Sequence, residues 1–167
     1  MGLDVVFVPC RFAGEPVTKR NPFTGVEQTV APHEPLNSTE LEAVRQVLSN
    51  ANAQAPNEHG YCFIQPDSGG SAEVACEDLE NGCMVTLRGM SSEIERFLFD
   101  LLGAAEWVLY AAVEDAVCIT ASPNGVRDLL NLPRPVFCKS PEEIGVLLSG
   151  GIKAWEKYRG QIVGDGG

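Results

Sequence analysis

The 167-residue chain predicts an α+β fold, a single domain in which three to four helices pack on a mixed, mainly antiparallel sheet. Three observations lead there. Helix start signals stand ahead of apolar stripes at period 3.6 in separate parts of the chain, and short turn signals join runs of β-forming residues into hairpins instead of long crossovers. The third is size: at this length folding buries about 70% of the surface the unfolded chain exposes, and 44% hydrophobic residues exclude a disordered segment.

The elements follow in order. Asp4 to Pro9 has the apolar density of a buried strand. Pro16–Arg20 and Val26–Val30 flank Asn21-Pro-Phe-Thr-Gly25, a hairpin turn in which Pro22 presets φ and Gly25 can take positive φ. The first helix starts near Asn37, since Asn37-x-x-Glu40 forms a capping box and Leu36 with Leu41 fits a hydrophobic staple; its stripe is Leu41, Val44, Val47 and Leu48. Residues 50–60 lack periodicity and read as a loop, and Tyr61–Gln65 as a strand.

Glu73–Leu79 and Cys83–Gly89 surround Asn81-Gly82, the strongest short hairpin signal. A two-residue turn there pairs Glu80 with Cys83. It sets Val74, Cys76, Cys83, Val85 and Leu87 on the core face, together with Asp78 and Glu80, while Glu77 projects outward.

A second helix starts at the capping box Ser92-x-x-Glu95, carries Ile94, Phe97, Leu98, Leu101 and Leu102 on one face, and ends at Gly103. Trp107–Val113 and Ala116–Ala121 read as strands across a Glu114-Asp115 turn, although the periodicity of the first also fits a helix. Ser122-Pro123 before Leu129-Leu130, and Ser140-Pro141 before Leu147-Leu148, each look like a helix start after an apolar run. The last helix has a full box, Ser140-x-x-Glu143, and can continue through Gly150-Gly151 to Tyr158, leaving 160–167 as a flexible C-terminal tail.

Chemistry-bearing motifs are sparse. No Gly-x-x-x-x-Gly-Lys-Ser/Thr or Gly-x-Gly-x-x-Gly occurs, so no phosphate cradle or cofactor is predicted. The six cysteines lack Cys-x-x-Cys spacing and lie in or beside apolar runs, which favours reduced thiols in the core over a metal site. His59 and Cys62 have opposite strand parity and do not make a Cys-His pair. Glu77-Asp78-Leu79-Glu80-Asn81-Gly82 misses the order of acids in a calcium loop. No catalytic residue is predicted. The start lacks a basic region ahead of its short apolar run, and no apolar stretch approaches the ~20 residues that span a bilayer, so a soluble cytoplasmic protein is expected.

Charge is the informative property. The chain carries a formal net charge of −11, and the acids concentrate in a central portion, residues 33–115. There fifteen acids (Glu34, Glu40, Glu42, Glu58, Asp67, Glu73, Glu77, Asp78, Glu80, Glu93, Glu95, Asp100, Glu106, Glu114 and Asp115) face three arginines (Arg45, Arg88 and Arg96), while the two ends are near neutral. Such a field repels nucleic acid, and it has two readings of equal standing: a surplus of acids that keeps the protein soluble, or a segregated face that attracts basic proteins and accelerates encounter.

From Asn37 onward the order helix, three strands, helix, two strands, helix is similar to that of acidic type III secretion chaperones. That similarity covers about two thirds of the chain and leaves out the N-terminal strands and a strand candidate at Pro135–Cys138. It implies a small homodimer that binds an effector protein. The residues themselves point first to a non-enzymatic module binding a basic protein partner, such as an immunity or inhibitor protein that neutralises a basic toxin. Its expected contacts are Asp67, Glu77, Asp78, Glu80, Glu114 and Asp115. The alternatives are the chaperone-like homodimeric adaptor and an enzyme whose site forms only in three dimensions.

Overall fold

A computed structural model describes residues 2–30, 32–111, 117–126, 129 and 132–165, with the backbone alone for 30, 151–156, 158–159 and 162–165. It shows the expected α+β architecture. The elements are β1 (Leu3–Pro9), β2 (Val17–Arg20), β3 (Glu27–Val30), α1 (Ser38–Asn50), β4 (Tyr61–Ile64), β5 (Ser71–Ala75) and β6 (Cys83–Arg88). They continue with α2 (Ser92–Gly103), β7 (Trp107–Ala111), β8 (Cys118–Thr120), a 3-10 turn (Pro123–Gly125), β9 (Val136–Phe137) and α3 (Pro141–Asp165).

Seven strands form one sheet in the order β4-β5-β6-β1-β7-β8-β9, antiparallel except for the β8–β9 pair. The first strand is thus central. Val5 pairs with Val85 on one side and with Ala111 on the other. β2 and β3 form a separate hairpin around the predicted turn, where Asn21 Oδ1 accepts the backbone N–H groups of Phe23 and Thr24.

Alternation along the strands puts one row of side chains against the helices. Val5, Phe7, Val74, Val85, Leu109 and Ile119 are buried there with Val44 and Leu48 of α1, the five predicted apolar residues of α2, and Ile144 and Leu147 of α3. Trp107 anchors the centre: its ring lies 5.1 Å from that of Phe7, and its indole N–H donates to the carbonyl of Leu101 at 2.9 Å. On the opposite face Val108 and Cys118 are covered, with Leu129, Leu132 and Cys10 packed beside them.

Local signals and the structure agree at α1, at the Asn21 hairpin turn, at the Gly103 end of α2 and at the Pro141 start of α3, and differ in the following places. Asn37 Oδ1 accepts the N–H of Glu40 at 2.9 Å, and Glu40 accepts that of Asn37 at 3.1 Å, completing the box. α2 is capped one residue earlier than predicted: Ser91 Oγ accepts the N–H of Ile94 at 3.3 Å. Two adjacent serines offer the same chemistry, and the register that turns Ile94 into the core selects the first. At Ser122-Pro123 the described residues hold a single 3-10 turn, Pro123–Gly125, and Ser122 makes no side-chain cap; residues 127, 128, 130 and 131 of the expected helix lie outside the described residues. Glu143 accepts the N–H of Lys139 at 2.8 Å, one residue before the predicted Ser140. Helix α3 then runs through Gly150-Gly151 to Asp165, into the stretch expected as a tail.

The largest difference is the β5–β6 connection. Ladder pairs Val74↔Val85 and Ala72↔Leu87 leave residues 76–82 as a seven-residue turn, not a two-residue one. The reason is Leu79. A two-residue turn would carry this side chain to the outer face, whereas the wider turn buries it to 8% exposure and exposes Asp78 and Glu80. The shift is even, so Val74, Cys83, Val85 and Leu87 keep their predicted face. Gly82 closes the turn at φ +142°, where a Cβ would lie 2.8 Å from the carbonyl oxygen of Phe7.

Candidate functional site

Among the predicted contact residues, Glu77, Asp78 and Glu80 come together as exposed side chains of the 76–82 turn. The turn is held from within. Asn81 Nδ2 donates to both carboxylate oxygens of Asp78, at 2.9 and 3.1 Å, and the N–H of Leu36 donates to the carbonyl of Glu80 at 2.8 Å. The second bond ties the turn to the residue preceding the α1 cap. Between turn and helix, Leu41 and Arg45 line a shallow groove of about 150 Å³ with residues 76–80.

Asp67 is exposed in the β4–β5 connection. Connections at the two ends of one strand lie at opposite ends of the sheet, so the five residues of β5, roughly 17 Å at 3.4 Å each, separate Asp67 from the 76–82 turn. The structure therefore does not join it to Glu77, Asp78 and Glu80. Glu114 and Asp115 lie outside the described residues.

Sequence reasoning missed a second group of acids at the same end as the turn. Arg11, just past β1, pairs with Glu40 through Nη2, with Glu106 at 3.3 Å and with Glu34 at 3.4 Å. Burial disfavours the Glu40 carboxylate, but the backbone N–H groups of Glu106 (2.7 Å) and Asn37 (3.1 Å), with the Arg11 guanidinium, hold its pKa below the usual carboxylate range. Glu40 is thus neutralised by an internal partner, whereas Glu34 and Glu106 remain about half exposed. Their chain neighbours carried no signal, because Arg11 is 29 residues from Glu40 and 95 from Glu106. This end of the sheet consequently presents Glu34, Glu77, Asp78, Glu80 and Glu106 to solvent, with Arg11 and Arg45 among them.

A larger cleft, about 370 Å³, opens beside the C-terminal end of α2. Cys10, Glu106, Trp107, Thr120, Ser122 and Asn124 contribute to its lining, and among the described residues neither His nor Lys does. His59 and Cys62 are separated as parity requires, the imidazole being 72% exposed beside Glu58 and the thiol 5% exposed. Among the described residues no three His, Cys, Asp or Glu side chains converge to hold a metal ion, and no helix is long and apolar enough to cross a membrane.

Comparison with known proteins returns no matching family model, no matching curated protein and no matching solved structure.

Proposed function

We propose that this chain is a non-enzymatic protein-binding module that engages a basic protein partner through the acidic end of its sheet, as an immunity or inhibitor protein engages a toxin. The observation that supports this reading is the 76–82 turn, where three exposed carboxylates are carried on a connection held by Leu79, the Asn81–Asp78 hydrogen bonds and the Leu36–Glu80 bond. Acids on a braced turn lose little freedom on binding, which is the condition for charge to raise affinity as well as encounter rate. Glu34 and Glu106 extend the same field, and Arg11 holds its members in place.

The test compares this protein with its Glu77→Lys/Asp78→Lys/Glu80→Lys variant as baits in extract of the native host, at low salt and at about 0.5 M, where screening is nearly complete. A basic partner retained by the unmodified bait, released by salt and lost to the variant supports the proposal. Retention of the same partner by both baits, or binding indifferent to salt, refutes it. Asp67→Lys, at the opposite end of the sheet, leaves retention unchanged.

The enzyme reading draws on the cleft whose lining includes Cys10, Glu106, Thr120, Ser122 and Asn124. Its test is a thermal-shift screen of small metabolites against the protein and a Ser122→Trp variant that fills the cleft. A stabilising compound whose effect the variant abolishes would favour it over the binding module.

A further inference from the structure

Cys62 lies in β4 opposite Val74, and Cys76 is two residues past Val74, its N–H donated to the carbonyl of Gly60 at 2.8 Å. The two side chains therefore share a face as diagonal cross-strand neighbours. Their Sγ atoms are 2.7 Å apart, within an ångström of the about 2.05 Å of a bonded pair. Access is asymmetric. Cys76 is the one cysteine of the six that is not buried, so a small oxidant reaches it while Cys62 waits behind it. Cys10 and Cys118 also share a cluster, but both are buried.

We propose that Cys62 and Cys76 are a disulfide-forming pair, oxidised by a peroxide or a low-molecular-weight disulfide that enters at Cys76. With hydrogen peroxide, the Cys76 thiolate attacks one oxygen, the O–O bond breaks and hydroxide leaves, taking up the proton the thiol gave up to become water, which gives the sulfenic acid. The Cys62 sulfur then attacks Cys76 Sγ, the S–O bond breaks and a second water departs. Two thiols are oxidised and one peroxide is reduced to two waters. With glutathione disulfide, the Cys76 thiolate releases one glutathione to form a mixed disulfide, and Cys62 releases the second.

Burial, reinforced by the adjacent Cys62, pushes the Cys76 thiol up to about 12, so the attacking thiolate is scarce at neutral pH. Oxidation is accordingly slow at pH 7 and accelerates with pH. The bond closes the chain from residue 62 to residue 76 and pins the start of the 76–82 turn to β4. This inference does not rest on partner binding.

The experiment treats the reduced full chain with hydrogen peroxide, and separately with glutathione disulfide, followed by alkylation in denaturant and mass spectrometry. The expected product has lost 2 Da, leaves four cysteines to alkylate, and yields a peptide linked through Cys62 and Cys76. Its rate rises about tenfold per pH unit between 7 and 9. A 15-residue loop closed in this way raises the Tm by about 6–12 °C, reversibly with reductant. Cys62→Ser and Cys76→Ser each abolish the 2 Da loss, and Cys83→Ser retains it. If Cys62→Ser does not fold, the variant at the partly exposed position, Cys76→Ser, still decides. Over-oxidation of Cys76 without a link, or a link from Cys76 to Cys83 in place of Cys62, overturns the proposal.

Discussion

Replacing Arg11 by alanine isolates how much of the acidic end is held together by one cation. The Arg11 side chain is 25% exposed and that of Glu40 12%, so this pair lies between the surface class, worth 0–1 kcal/mol, and the buried class, whose disruption costs about 3–5 kcal/mol. Glu40 keeps the backbone N–H groups of Glu106 and Asn37 in the variant, which lowers the penalty for leaving it charged. About 2 kcal/mol for the Glu40 contact and a few tenths for each of the half-exposed partners give a loss of about 2–3 kcal/mol. For a domain of this size that is a fall in Tm of about 4–12 °C.

The pH dependence follows from the same contacts. A carboxyl held below its unfolded pKa contributes stability that is complete above the ordinary carboxylate range and lost as pH falls through the lower folded value. The gap between the two proteins therefore narrows in acid, as the unfolded chain takes up a proton that the folded Glu40 resists. Calorimetric melts of each protein at pH 7 and pH 3, with Glu40→Gln and the double variant to complete a mutant cycle, measure it. A gap below 1 °C at pH 7, or one equally wide at pH 3, would falsify the account of Arg11 as the organising charge.

Three further outcomes are open to measurement. Gly82→Ala places a side chain at φ +142° and within 2.8 Å of the Phe7 carbonyl, and denaturant melts should show a loss of about 1–3 kcal/mol. Glu95 is pushed above the usual carboxylate range by burial and by Glu142, so its contribution is full below the unfolded pKa and lost as pH rises through the folded one. Glu95→Gln should consequently raise the Tm at pH 7 and leave it nearly unchanged at pH 3; a fall at pH 7 would show that the carboxylate has a stabilising partner. Leu98→Ala, at a fully buried position of α2, should cost about 3–5 kcal/mol by urea unfolding, and a loss under 1 kcal/mol would mean that the α2 interface is not tightly packed.

The sequence carried those parts of the fold whose determinants are local. The Asn37–Glu40 box needs only residues three apart, and the α2 stripe only its own period, so both were legible, with an error of one residue where Ser91 and Ser92 compete. The Asn81-Gly82 signal was over-read because it weighs two turn residues and ignores Leu79, whose burial outweighs the shorter turn. Parity survived because the two registers differ by an even number. The candidate site was half legible. That Asp67 and Glu77 occupy successive hairpin connections, and hence opposite ends of the sheet, was available from the order of elements. The recruitment of Glu106 and Glu34 by Arg11 was not, since it depends on β1 running between β6 and β7, a long-range pairing that leaves no periodic trace.

That central placement of β1 also sets a timetable for synthesis. Val5 leaves the ribosome 80 residues ahead of its partner Val85 and 106 ahead of Ala111. At about 5–20 residues per second, the strand spends roughly 4–16 s without either neighbour. During that interval the nascent chain displays Leu-Asp-Val-Val-Phe-Val-Pro with both hydrogen-bonding edges open, the kind of segment that chaperones and other nascent strands capture. A ribosome stalled before residue 83 would hold this strand with neither β6 nor β7 available, so the centre of the sheet waits on residues made much later.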